Sequence, residues 1–121
     1  MRPVLKLTKT TVKQIITFKK SGRIKFIDPE SIIFLEADDN YTCIHLTDDS
    51  VHIISKPLTY YSELLGSHFI RCHRSYLVNR NHIEEIDTSN GYTLHLGNGR
   101  TVPIARRRIS YFKKLLANFC I

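Results

Sequence analysis

Residues 69–79 read Phe69-Ile70-Arg71-Cys72-His73-Arg74-Ser75-Tyr76-Leu77-Val78-Asn79. Apolar anchors (Phe69, Ile70, Tyr76, Leu77, Val78) are interleaved with hydrogen-bond donors (Arg71, His73, Arg74, Ser75, Asn79). Such a stretch reads as strand–turn–strand, because the anchors can hold a rigid backbone in a core while the donors face water at a turn. An ordinary structural hairpin has the same pattern, so its meaning depends on the neighbouring segments.

On both sides the chain continues as short strands. Gln14–Lys19 and Gly22–Ile27 are β-branched or aromatic runs around Lys20-Ser21-Gly22, which predicts a hairpin. Ile32–Glu36 is a continuous apolar run suited to a buried strand. Tyr41–Thr47 and Ser50–Ser55 flank a turn at Asp48-Asp49. Tyr92, Leu94 and Leu96 alternate with Thr93 and His95, and the chain turns at Asn98-Gly99, the strongest hairpin signal present, before returning over Arg100–Ile104.

Two segments have helical spacing. Pro57 to Leu65 places Leu58, Tyr61, Leu64 and Leu65 on one face, with Gly66 as a stop. Ala105 to Phe119 places Ile109, Phe112, Leu115, Leu116 and Phe119 in one stripe. The expectation is a single, mainly β domain over residues 14–121, closed by a C-terminal helix and preceded by a flexible segment over residues 1–13.

Charge narrows the function. Eighteen Lys and Arg against eleven Asp and Glu give a formal net charge of +7. They fall in blocks. Met1 to Ile27 holds eight basic residues and no acid, Asp28 to Ser55 holds seven acids and no Lys or Arg, and Gly97 onward holds six basic residues and no acid. Blocks of one sign make a polarised surface, which suits a polyanion approached from one side. Three cysteines (Cys43, Cys72, Cys120) without CxxC spacing argue against a disulfide framework and for a reducing, cytoplasmic compartment. Cys43 reads as a buried structural thiol. No apolar run reaches bilayer length, and no signal-peptide pattern follows Met1.

Arg106-Arg107-Arg108 opens the apolar stripe of the last predicted helix. Cations at a helix start oppose the dipole, at a cost of about 0.3–1 kcal/mol each. Such local losses cluster at functional sites, and guanidinium forks there suit phosphate or a guanine edge. Asp38-Asp39-Asn40-Tyr41, between two strands, reads first as a turn, although Asn also pairs with adenine edges. Catalysis has no support: phosphate-loop, dinucleotide and nucleophile-elbow motifs are absent, and Cys72 and His73 are adjacent in a predicted strand. His68, Cys72 and His73 lack a second ligand pair at zinc spacing, so neither a metal nor a cofactor is expected.

Four segments, in order, resemble the LytTR DNA-binding domain family of bacterial response regulators. They are IIFLEADDNYTCIHL (Ile32–Leu46), KPLTYYSELL (Lys56–Leu65), FIRCHRSYLVNRNHIEEID (Phe69–Asp87) and TVPIARRRISYFKKLL (Thr101–Leu116). The resemblance spans about Ile16 to Leu116. It implies an elongated stack of small antiparallel sheets with short helices. It also implies binding of double-stranded DNA through loops that enter successive major grooves of a direct-repeat site. The homodimer on DNA and a receiver domain or sensor kinase in the same two-component system are implied in the same way.

By motif position, the resemblance puts base reading on Asn40, Arg74 and Arg107. It puts supporting contacts on Tyr41, His73, Ser75, Arg106 and Arg108, and gives Asn79 and Glu36 a structural role. Two positions depart from the family pattern. Ala105 stands where a Ser often precedes the arginines, and Val102 stands where some members carry a cysteine paired with the Cys72 position. The alternative expectation is a protein-interaction module of the same fold without specific DNA binding. RNA is disfavoured because, Tyr60-Tyr61 aside, no exposed aromatic pair is built for base stacking.

Overall fold

The computed structural model describes residues 15–119, and for Leu116, Asn118 and Phe119 the backbone alone. The expected flexible segment over residues 1–13 and the thiol of Cys120 lie outside the described residues.

The fold is mainly β, as expected. The strands are β1 (Ile16–Lys20), β2 (Arg23–Ile27), β3 (Ile32–Asp38), β4 (Tyr41–Leu46), β5 (Val51–Ile54), β6 (Phe69–His73), β7 (Tyr76–Asn79), β8 (Ile83–Asp87), β9 (Thr93–Leu96) and β10 (Thr101–Pro103). Two α-helices accompany them, α1 (Leu58–Leu65) and α2 (Ile109–Phe119). A five-stranded sheet in the order β5-β4-β3-β7-β6 stands between a two-stranded hairpin, β1-β2, and a three-stranded sheet in the order β10-β9-β8. Every pairing among these strands is antiparallel.

The apolar run at the start of β3 is buried on both faces of the central sheet. Ile32 and Leu35 enter a core shared with Ile16 and Ile27 of the hairpin and with Leu58, Tyr61 and Leu65 of α1. Ile33 and Phe34 enter a second core with Leu94, Leu96 and Val102 of the three-stranded sheet and Phe112 of α2. Strict alternation would send two successive residues to opposite faces. A bulge between Ile32 and Phe34 lets Ile33 and Phe34 share one. Each such side chain, fully buried, contributes about 1.5–3 kcal/mol.

The turns follow from their residues. Ser21 and Gly22 both take positive φ (51° and 77°), the two-residue geometry that matches hairpin twist. The β9–β10 loop places Gly99 at φ 84°, and Asn98 Oδ1 accepts from the Arg100 amide at 3.0 Å. The β4–β5 loop repeats this arrangement with Asp49 at φ 71° and Asp48 Oδ1 accepting from the Ser50 amide at 2.9 Å.

Two segments differ from expectation. β8, with the sequence IEEID, gives no alternating signal. Its core-facing residues, Ile83 and Ile86, are three apart rather than two, and a bulge between Ile83 and Glu85 absorbs the extra residue. The helix expected from Ala105 begins at Ile109. Arg106–Arg108 forms a separate 3-10 turn ahead of it, in which the Arg108 amide donates to the Ala105 carbonyl at 2.8 Å. On α2, Phe112 is buried and Ile109 and Leu115 are half-buried against the second core. The side chains of Leu116 and Phe119, expected on the same stripe, lie outside the described part.

Candidate nucleic-acid interface

The central sheet brings distant segments to one of its ends. β3 and β4 pair up to Asp38 and Tyr41, so Asp39-Asn40 caps that hairpin. Glu36 of β3 pairs with Tyr76, the first residue of β7, so the β6–β7 turn at Arg74-Ser75 emerges at the same end. The Ala37 amide donates to the Ser75 carbonyl at 2.9 Å and ties the two turns together. On the far side of β6, the Ala105 amide donates to the Cys72 carbonyl at 2.8 Å, and Arg108 Nη1 donates to the Arg71 carbonyl at 3.2 Å. The Arg106–Arg108 turn is therefore anchored beside the β6–β7 turn. Three segments separated by more than thirty residues each become a row along one sheet edge.

In that row Asn40, Arg74, Arg106 and Arg107 are exposed. Tyr41 retains 48% of its surface. His73, Ser75 and Arg108 are half-buried. Asp39 holds a left-handed backbone (φ 59°), which presents Asn40 at the tip with the exposed carboxylates of Asp38 and Asp39 beside it. Those carboxylates repel phosphate but match a cytosine amino group.

His73 Nδ1 accepts from the Ser75 amide at 3.1 Å, which leaves Nε2 as the proton-bearing donor of the neutral ring. Burial, and then Arg74, Arg108 and Arg71, push its pKa below the ordinary 6.5. Burial and Arg108 likewise lower that of Arg71. Among the described residues no carboxylate forms a salt bridge with Arg71, Arg74, Arg106, Arg107 or Arg108. Cations gathered without ion-pair partners favour an anionic partner.

Some expected features lie elsewhere. Arg100 belongs to the C-terminal basic block, yet β10 separates it from this end, and its guanidinium covers the Phe34 ring at 5.1 Å. Cys43, expected to be buried, is half-exposed, because it faces Ile53 on the edge strand β5, which is itself 66% exposed. The buried thiol is Cys72, in the bulge of β6, and burial pushes it up to about 12. Asn79 is buried and structural: its Nδ2 donates to the Ile32 carbonyl at 2.9 Å and its Oδ1 accepts from the Asn81 amide at 2.9 Å. Glu36 bonds His45 Nε2 at 3.1 Å. Arg71 stood in the sequence only as one donor among several. Its guanidinium bonds to the β6–β7 turn, and a bulge directly after it was the signal that periodicity could not show.

Among the described residues no group of three or more His, Cys, Asp or Glu is placed to hold a metal ion, and no helix is long and apolar enough to cross a membrane.

The geometry defines a stacked β domain that presents polar and cationic turns at one edge. The family model described as "LytTr DNA-binding domain" matches residues 22–117. The transcriptional regulatory protein YpdB of Escherichia coli K12 is 32% identical over 112 residues, covering 90% of this chain and 46% of that protein. The transcriptional regulatory protein LytR of Staphylococcus aureus NCTC 8325 is 32% identical over 103 residues, 83% of this chain and 42% of that protein. A solved LytTr DNA-binding domain from Bacillus cereus superposes with a TM-score of 0.74 at 34% identity, covering 87% of this chain and 98% of that one.

This chain belongs to the LytTr DNA-binding domain family. That family is a DNA-binding one and not an enzyme class. The chain spans less than half the length of these curated relatives.

Proposed function

We propose that this chain binds double-stranded DNA sequence-specifically and serves as the output domain of a cytoplasmic transcription regulator. The observation that carries this reading is the row of three turns at one sheet edge. Successive chains in a sheet lie about 4.8 Å apart, so the outer turns stand on the order of 20 Å from each other. That span straddles a minor groove, about 6 Å wide, and reaches the major groove on either side.

Asn40 then reads an adenine edge, and Arg74 and Arg107 each read a guanine. A bidentate pair of this kind is worth about 1–3 kcal/mol of discrimination. Tyr41, His73, Ser75, Arg106 and Arg108 supply phosphate contacts and orientation, the His73 contribution coming through Nε2. A receiver domain attached to, or acting with, this one under a sensor kinase is part of the proposal, and the relatives named as transcriptional regulators are long enough to hold a further domain. The target is a direct-repeat site occupied by two copies.

The test is selection of a random duplex pool by the purified chain, followed by titration with salt. Enriched repeated half-sites, bound far more tightly than random DNA and weakening steeply with salt, are the expected result. Retention without enrichment, or none at low salt, overturns the reading. A protein-interaction module of the same fold is favoured by one observation, the exposure of Phe26 (72%) and Ile53 (66%) on sheet faces. In that case Arg107→Ala leaves every DNA preference unchanged.

A further inference from the structure

We infer that Arg71 is the positioning residue of this interface, a side chain that reads no base itself but holds the β6–β7 turn in the one shape from which Arg74 can read. The inference rests on the DNA-binding reading above. Arg71 Nε donates to the His73 carbonyl at 3.1 Å, and Nη2 donates to the Arg74 carbonyl at 2.7 Å. The main-chain carbonyl of Arg71 accepts from Arg108 Nη1 at 3.2 Å. One residue therefore touches the Arg74 turn through its side chain and the Arg106–Arg108 turn through its backbone.

A brace is needed at this point of the chain because the sheet stops supplying one. The pairing of β6 with β7 shifts register between Arg71 and His73, and Cys72 is the extra residue. A bulge leaves backbone groups outside the ladder. The carbonyls of His73 and Arg74 follow it, and the Arg71 fork occupies both. The Ser75 amide, bonded to His73 Nδ1, completes the closed turn.

Charge alone does not explain the placement. A residue kept only to attract phosphate would turn its guanidinium to water. This one is half-buried, close to Arg108, and has two of its three nitrogens committed to backbone carbonyls. Two carbonyls on successive residues fit a planar fork with fixed donor directions, whereas a lysine ammonium is a compact point charge. Bidentate recognition tolerates only small errors of position, so a loosened turn costs Arg74 its selectivity before it costs the protein its charge.

The experiment compares the wild-type chain with Arg71→Lys and Arg71→Ala on the operator obtained by selection. Companion duplexes are altered at the base pair read by Arg74, altered at the one read by Arg107, or random in sequence. Both variants are expected to lose discrimination at the Arg74 position by roughly tenfold. The lysine should do no better than the alanine. Discrimination at the Arg107 position, affinity for random DNA and the salt dependence should hold, since the Arg71 carbonyl survives substitution.

Full discrimination in Arg71→Lys overturns the inference. So does unchanged discrimination in Arg71→Ala, or a uniform loss with the salt slope reduced by about one. The wild-type protein supplies a second readout, independent of whether the variants fold. The Arg71 Nε–H proton should give a resolved, slowly exchanging NMR signal without DNA, and rapid exchange with water would refute the brace. Absence of any enriched operator for the wild-type chain defeats the DNA-binding reading instead, and leaves the NMR result to decide the role of Arg71 in shaping the turn.

Discussion

The side-chain amide of Asn79 donates to the carbonyl of Ile32 at 2.9 Å, across 47 residues of chain, while its oxygen caps the turn that follows at Asn81. One buried side chain thus joins the end of β7 to the start of β3. It is a tie between two central strands rather than a contact offered to a ligand. Asn79→Leu would leave a buried carbonyl and an amide without partners, a loss of about 1–3 kcal/mol. Urea denaturation should show the midpoint falling at constant m-value. A change below roughly 0.5 kcal/mol would mean that water replaces both bonds.

Arg107 and Arg108 are neighbours with different surroundings. Arg107 is exposed, whereas Arg108 is half-buried and bonded to the Arg71 carbonyl. Arg107→Ala is expected to lower operator affinity by about 1–3 kcal/mol while random-DNA affinity falls less and the melting temperature holds. Arg108→Ala should lower thermal stability as well as binding. Isothermal titration and thermal melts on both variants check the pair, and equal melting temperatures would refute the division.

Acid should weaken the fold through histidine. Burial is the first cause lowering the pKa of both His73 and His45 below 6.5. A histidine depressed in this way binds its proton more readily when unfolded, so its contribution is fully present above the unfolded pKa. That contribution disappears as pH falls from about 6.5 through the lower folded value. Protonation also costs His73 the bond from the Ser75 amide. Unfolding free energy measured between pH 7.5 and 5 should fall, and His73→Gln should flatten the slope. A wild-type profile that is level over this range would refute the assignment.

Thiol chemistry should separate the two cysteines of the described residues. Cys72 is buried, with its thiol pushed up to about 12, whereas Cys43 is half-exposed and raised by burial and by Glu36 and Asp38. Iodoacetamide at pH 8 should label Cys43 slowly and leave Cys72 untouched until denaturant is added, as read by mass spectrometry. Rapid native labelling of Cys72 would show that β6 opens.

Glycine at position 99 has a backbone reason. Its φ of 84° lies in the left-handed region, and a Cβ there would meet no atom within 4 Å, so the cost of Gly99→Ala is conformational rather than steric. A loss on the order of 1 kcal/mol in chemical denaturation is expected. A neutral or stabilising result would mean that the loop relaxes out of this shape.

Most strands announced themselves through local pattern. The hairpins at Ser21-Gly22, Asp48-Asp49 and Asn98-Gly99 stand where their residues place them, and the β3 run is buried on both faces. β8 was hidden because a bulge replaces the spacing of two by a spacing of three between Ile83 and Ile86. The arginine turn is indistinguishable in sequence from the start of α2, because a 3-10 turn and the first turn of an α-helix have nearly the same spacing over three residues. Cys43 is half-exposed and not buried because its cover depends on the edge strand paired with β4, and no local signal carries that.

By itself, then, the sequence determined the mainly β class, the apolar runs that form the two cores, the turns, and the basic excess. Each of these follows from a residue and its near neighbours. The tertiary structure alone decided which polar side chains lie together. Strand pairing sets the Asn40 and Arg74 turns at one end of the sheet, and the Ala105–Cys72 hydrogen bond anchors the Arg107 turn beside them. Arg100 is removed to cover Phe34, and the Arg71 guanidinium turns onto the Arg74 carbonyl. Register between strands distant in the chain is a property of pairing, and periodicity within one strand cannot supply it.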